Sequence, residues 1–163
     1  MTRVLVAYGS KMGGTAGLAD MLGAELVANG LDVKVHDASD VRNLHGFDAV
    51  VLGGALYALR WHKDARRFVR RHRLTLQTLP VWLFSSGPLD DSATREEIPP
   101  VRYVRIAIDR IGARGHMTFG GRLSADAKGF PASSMARDNA GDWRDPDHVR
   151  TWAKEIAEHL HTR

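Results

Sequence analysis

The sequence contains no cysteine, and this absence excludes disulfides, thiolate metal sites and cysteine nucleophiles. It also has no apolar run that approaches the roughly 18 residues needed to cross a bilayer. A strand is expected to begin at Arg3, so we expect no signal peptide and a cytoplasmic location. With 163 residues, 44% hydrophobic and 26% charged, the chain is predicted to form one domain over residues 1–163.

The first loop lacks two familiar nucleotide motifs. Gly9 and Gly14 have the spacing of a Walker loop, but Thr15 stands where that motif requires lysine. No G-x-G-x-x-G follows the first predicted strand either. The sequence therefore disfavours a nucleoside triphosphate site and a dinucleotide site.

The same loop is nevertheless suited to a phosphate group. It joins a buried strand to a helix, and a helix N-terminus presents free N–H groups and a positive dipole end. Hydroxyl side chains can add donors, while glycines let the backbone approach closely. A tight turn with no ligand is the alternative. The candidate phosphate-binding residues are Ser10, Lys11, Met12, Gly13, Gly14 and Thr15.

Predicted strands and helices alternate along the whole chain. This order indicates an α/β fold, a doubly wound five-stranded parallel sheet with helices on both faces, in three layers. In such sheets ligands bind beyond the carboxyl ends of the strands, where the strand order reverses. The predicted strands are 3–8, 32–36, 49–54, 81–85 and 116–119, and the predicted helices are 16–29, 62–73, 101–111 and 146–161.

The beginning of the chain resembles the flavodoxins. Residues at the spacing of their signature are Val6, Tyr8, Ser10, Gly13, Thr15, Ala19 and Leu22. Ala7 departs from the pattern, because a bulkier apolar residue is usual there. The resemblance implies non-covalent binding of flavin mononucleotide (FMN), with the first loop around its phosphate.

A flavin ring needs apolar or aromatic surface on its faces and backbone polar groups at its edge. Tyr57 and Trp61 are expected in a loop and are the candidates for stacking, with packing against the next helix as the alternative. The N–H groups of Ser86 and Gly87 are candidates for the pyrimidine edge. No catalytic side chain and no metal site are predicted. The full set of candidates for the ring is Ala55, Leu56, Tyr57, Trp61, Ser85, Ser86, Gly87 and Pro88.

The net charge is +4, and much of the excess lies in residues 60–73. This basic run fits an acidic redox partner protein, an anionic membrane surface or an acidic small-molecule substrate. Nucleic acid is not expected, since no base-reading or stacking motif accompanies it. The alternative is a solvated helix face with Phe68 and Val69 turned to the core.

Most of the chain also resembles one branch of the flavodoxin-like proteins, the menaquinone-dependent protoporphyrinogen IX dehydrogenases of heme biosynthesis. The matching segments are 54–62, 68–72, 142–143, 149 and 152–153. Where that branch has an apolar and aromatic insertion, residues 124–145 are mostly polar, and we expect a long loop. The resemblance implies an FMN-dependent oxidoreductase with a quinone acceptor. The alternatives are an electron carrier that docks partners through the basic face and a cofactor-free binding module.

Overall fold

The computed structural model describes residues 1–10, 14–57, 60–87, 92–95, 97–123, 141–142 and 144–162. Strands and helices alternate through these ranges, as the sequence predicts. In chain order the elements are β1 (Arg3–Gly9), α1 (Gly14–Ala28), β2 (Asp32–Asp37), β3 (Ala49–Tyr57), β4 (Arg60–Trp61), α2 (Lys63–Leu76), β5 (Val81–Ser86), α3 (Ser92–Arg95), α4 (Arg102–Ile111), β6 (Gly115–Phe119), β7 (Arg122–Leu123), β8 (Gly141–Asp142) and α5 (Pro146–His161).

The main sheet has the spatial order β2-β1-β3-β5-β6, and all of these neighbours are parallel. The predicted doubly wound parallel sheet is therefore confirmed. A sixth strand, β4, pairs antiparallel with the end of β3 and was not predicted. It follows β3 directly, and antiparallel neighbours need only a short connection.

The helices bury an apolar layer on each face of the sheet. Alternate residues of a strand point to opposite faces, so Val4 and Val6 face one layer while Leu5 and Ala7 face the other. The first layer contains α1 and α5, and the second contains α2 and α4. No helix in the described ranges has the length and apolar character that crossing a membrane requires.

Two helix ends follow the predicted signals. After α1, Gly30 adopts a left-handed φ of 88°, and Asn29 Nδ2 donates to the Glu25 carbonyl at 2.8 Å. At the start of α5, Asp145 Oδ1 accepts from the Asp147 N–H at 2.9 Å, with Pro146 in the first turn. The predicted start of α5 is confirmed, and α1 ends one residue before its predicted end at residue 29.

Two segments predicted as loops contain strand. Residues 55–57 continue β3, because the backbone there pairs with β4 and the His62 N–H donates to the Ala55 carbonyl at 2.9 Å. Within the predicted loop over 124–145, residues 141–142 pair antiparallel with β7. Residues 124–140 lie outside the described residues.

Candidate functional site

The strand order reverses at β1, which has β2 on one side and β3 on the other. Ligands of open parallel sheets bind at the carboxyl edge beside such a reversal. The loop after β1 and the ends of β3 and β5 all lie at this edge, since these strands are parallel neighbours. The topology therefore brings the predicted phosphate loop and the two predicted ring-binding segments, after β3 and β5, to one edge of the sheet.

Two buried hydroxyls lie between β1 and α1, and we call Ser10 and Thr15 the hydroxyl pair. Thr15 is 1% exposed, in the first turn of α1. Its Oγ1 and the Oγ of Ser10 are both buried, and neither forms a hydrogen bond within the described part of the chain. Buried polar groups normally have a partner, so this pair is suited to a ligand with acceptor oxygens.

The rest of the first loop is described only in part. Gly14 is buried and begins α1, whereas Lys11, Met12 and Gly13 lie outside the described residues. A cation that the sequence analysis did not single out lies against this turn, because Nη1 of Arg144 donates to the Gly14 carbonyl at 3.5 Å. No local pattern could have revealed it, since Arg144 is far away along the chain.

The end of β3 supplies the surface beside the loop. Ala55 is buried, and Leu56 is half-buried against Gly87, where a Cβ would lie 3.0 Å from Leu56 Cδ1. The backbone of Tyr57 pairs with Arg60. Stacking of a flavin on Tyr57 stays a prediction, but its expected place in a loop is wrong because β3 extends through it.

Trp61 was also expected in a loop, and this prediction is wrong as well. It lies in β4, is 1% exposed, and its Nε1 donates to Ser85 Oγ at 2.9 Å. Its ring packs against Tyr103, with 5.9 Å between ring centroids. The indole is thus part of the α2/α4 layer, as the packing alternative predicts.

Ser85 links Trp61 to His116, and we call these three residues the Trp61 network. Ser85 Oγ lies 3.3 Å from His116 Nε2. Burial lowers the pKa of His116 to about 4, so its ring is neutral at pH 7. Because an indole N–H can only donate, Ser85 Oγ accepts from Trp61, while the direction of its hydrogen bond with His116 is set by the tautomer of the imidazole.

The end of β5 differs in one respect from the expectation. Ser86 is buried in β5, and the Gly87 N–H donates to the Phe119 carbonyl at 3.2 Å. The Gly87 N–H is therefore used by the sheet edge and is not an exposed donor for a pyrimidine. Pro88 lies outside the described residues.

A family profile described as a flavodoxin domain matches residues 5–135. The chain belongs to the flavodoxin domain family. Membership of this family implies FMN as the cofactor and a role in electron transfer. No curated protein matches the sequence.

Solved structures similar to this flavodoxin-domain chain share its fold at low sequence identity. A cysteine-substituted flavodoxin from Pseudomonas aeruginosa is 16% identical with a TM-score of 0.63, over 98% of this chain and 99% of that one. Flavodoxin 2 from Bacillus cereus is 18% identical with a TM-score of 0.63, over 97% and 99%. The rubredoxin oxygen:oxidoreductase from Desulfovibrio gigas is 13% identical with a TM-score of 0.68. The match covers 99% of this chain but only 37% of that longer one.

In this flavodoxin-domain protein the basic run forms one wall of a groove of about 380 Å³. Phe68 and Val69 face the core, as the helix-face alternative predicts. The groove between α2 and α4 is lined by Val69, Tyr103 and five arginines, which are Arg60, Arg66, Arg70, Arg73 and Arg110. We call these arginines the arginine groove.

The arginine groove concentrates positive charge next to β4. Among the described residues, none of its guanidinium groups forms an ion pair with a carboxylate. Arg66 Nε donates to the Trp61 carbonyl at 3.0 Å, which ties α2 to β4. Burial raises the pKa of Tyr103 at the floor of the groove, although the surrounding arginines oppose the shift. No cluster of three or more metal-ligating side chains occurs in the described ranges.

Proposed function

We propose that this protein is an FMN-dependent oxidoreductase that holds the cofactor phosphate at the hydroxyl pair. The observation that carries the proposal is that the buried Oγ of Ser10 and Oγ1 of Thr15 have no hydrogen-bond partner among the described residues. An unsatisfied buried hydroxyl costs roughly 1–3 kcal/mol, and a phosphate oxygen at the N-terminus of α1 removes that cost. Lys11, Met12 and Gly13, which lie outside the described residues, are predicted from the sequence to belong to the same site.

The flavin ring is proposed to lie against the ends of β3 and β5. Ala55 and Leu56 offer an apolar edge there; Ser86 pairs with Ala55 from β5, and Gly87, directly after β5, lies against Leu56. Trp61 supports this edge from within the α2/α4 layer, because it is covered by protein. When bound, FMN would supply the redox chemistry, and the chain's own residues orient the ring and limit its access to water.

The arginine groove supports a substrate with several carboxylates. Arg60 pairs through its backbone with Tyr57, so the groove adjoins the proposed ring site. Guanidinium groups bind carboxylates with paired N–H donors, and none of the five arginines of the groove forms an ion pair with a carboxylate among the described residues. This chemistry supports a protoporphyrinogen IX dehydrogenase. In each two-electron step, a hydride equivalent and a proton leave the porphyrinogen, and a quinone becomes the hydroquinone.

The first experiment is a titration of FMN with the purified protein, followed by flavin fluorescence. Saturable quenching is expected, and it should weaken in Thr15→Val, which removes the hydroxyl but keeps the shape of the side chain. No binding by the wild type would contradict the proposal and favour the cofactor-free module.

The second experiment tests the substrate with the FMN-loaded protein. Oxidation of protoporphyrinogen IX by a soluble menaquinone analogue is followed by the fluorescence of the porphyrin product. The double variant Arg70→Gln/Arg73→Gln should raise KM about three- to tenfold with kcat nearly unchanged, since exposed ion pairs contribute about 0.2–1 kcal/mol each. Arg105→Gln is the matched control, because Arg105 lies on α4 outside the groove.

An electron carrier is the second candidate, and the same groove favours it. A basic surface next to a flavin would dock an acidic redox protein, and its association rate would fall steeply with salt. The double variant would then slow reduction of an acidic redox protein and leave porphyrinogen unoxidised at any concentration. Porphyrinogen turnover by the wild type would instead favour the enzyme.

A further inference from the structure

Arg144 lies against the first turn of α1, although it belongs to the short segment between β8 and α5. Its Nη1 donates to the Gly14 carbonyl at 3.5 Å. The same nitrogen occupies the space next to Gly17 that any larger side chain would need. Gly17 therefore gives the guanidinium access to the start of the helix.

Arg144 places a positive charge beside the N-terminal end of α1. The N-terminal end of a helix carries a partial positive charge, and a cation there is unfavourable by a few tenths to about 1 kcal/mol. The first turn of α1 itself contains no acidic residue. An anion bound at the start of α1 would be attracted both by the helix end and by a guanidinium this close to it.

The hydroxyl pair independently points to the same ligand. Thr15 lies next to Gly14 and is 1% exposed, and its unpartnered Oγ1 belongs to the turn that Arg144 covers. Resting on the proposed function, we propose that Arg144 is an anion-binding residue that contacts the FMN phosphate from the β8–α5 side. The segment before α5 thereby contributes to cofactor retention, although it is distant from the first loop in sequence.

The test compares two flavins that differ only in the phosphate, FMN and riboflavin. Arg144→Gln should weaken FMN binding about 10- to 100-fold, because a charge-assisted hydrogen bond to phosphate is lost. Riboflavin binding should stay within twofold of the wild type. The salt dependence of FMN affinity should also become shallower, since one charge contact is gone.

Gly17→Ala provides a second variant that keeps Arg144 in the chain. Its methyl group would overlap Nη1 of Arg144, and a flexible side chain can move away at little cost. Alanine also favours a helix over glycine, so the FMN-free protein should be at least as resistant to urea as the wild type. FMN affinity should fall while riboflavin affinity does not.

Arg150→Gln is the matched control for charge. Arg150 lies on α5 and pairs with Asp147 and with Glu25, which is in the last turn of α1. It should change FMN affinity less than twofold.

Three outcomes would overturn part of the argument, and they are distinguishable. If the wild type binds neither flavin, the proposed function and the role of Arg144 both fail. If the wild type binds FMN and Arg144→Gln binds it equally well, only the role of Arg144 fails. If Arg144→Gln loses both flavins alike, Arg144 supports the fold of the site and does not contact the phosphate.

Discussion

Two polar clusters lie towards the carboxyl edge of the sheet, and they satisfy their hydrogen bonds in different ways. In the Trp61 network every polar atom named above has a partner, from the indole to Ser85 to His116. In the hydroxyl pair neither Ser10 nor Thr15 has a partner among the described residues. The hydroxyl oxygens of Ser85, Ser10 and Thr15 are all buried, so access to solvent does not explain the difference.

The contrast separates a structural cluster from a binding cluster. A closed network strengthens the fold and offers nothing to a ligand, because its donors and acceptors are already used. Unpartnered hydroxyls weaken the protein alone and contribute only when a ligand with acceptor oxygens is bound. Changes in the Trp61 network should therefore alter stability, and changes in the hydroxyl pair should alter cofactor affinity.

The largest effect is expected from Gly54→Ala, which breaks the Trp61 network. A Cβ on Gly54 would lie 2.6 Å from Cγ of Trp61, and this rigid ring has no room to move in the core. We expect a loss of about 3 kcal/mol in the free energy of unfolding, measured by urea denaturation. Gly17→Ala, where the obstructing group is a flexible guanidinium, is the control and should not destabilise. Equal losses in both variants would contradict this interpretation.

Lowering the pH should destabilise the folded protein through protonation of His116 in the Trp61 network. The folded-state pKa of His116 is about 4 against an ordinary 6.5, so the unfolded chain takes up a proton first as the pH falls. The contribution of neutral His116 to the free energy of unfolding is fully present above pH 6.5 and is lost as the pH falls towards 4. Between pH 7.5 and pH 5 the loss is about 2 kcal/mol.

A His116→Gln variant isolates this contribution from the carboxylates, which titrate in both proteins. Urea denaturation at several pH values should show a flatter dependence for the variant between pH 5 and pH 7. Parallel curves for the two proteins would mean that His116 titrates as an exposed residue does.

Thr15→Val tests the hydroxyl pair, and it should alter cofactor affinity without lowering stability. Removing an unpartnered hydroxyl leaves the FMN-free protein as stable as the wild type, or more stable, as urea denaturation would show. FMN affinity should fall about 10- to 100-fold in a fluorescence titration, because a hydrogen bond to a charged group is worth roughly 1.5–3 kcal/mol. A stability loss without an affinity loss would place Thr15 with the structural cluster.

The smallest effect is expected from Trp61→Phe. The aromatic ring stays, but the Nε1–H donor to Ser85 Oγ is lost, which should cost about 1 kcal/mol of unfolding free energy. FMN affinity should stay within twofold, because the wild-type ring is covered by protein. A tenfold loss of FMN affinity would contradict this prediction and indicate that Trp61 contacts the flavin.

The sequence predicted what local patterns determine. Alternating apolar runs predicted the parallel strands, and Gly30 and Pro146 marked helix ends that the structure has. It failed where a residue's environment is set by distant parts of the chain. The residues around Trp61 are typical of a loop, and its hydrogen bond to the distant Ser85 cannot be predicted from them. Arg144 likewise has no local signal for its contact with α1.

The β7–β8 pair has a consequence for how this protein tolerates insertions. Arg122 pairs with Asp142 and Leu123 with Gly141, so the two ends of the intervening chain lie side by side. Whatever length of chain connects these two ends, β6 before them and α5 after them keep their positions. Because closing a longer loop costs little extra entropy, this junction is a natural place for homologues to diverge in length and for an engineer to graft a foreign segment.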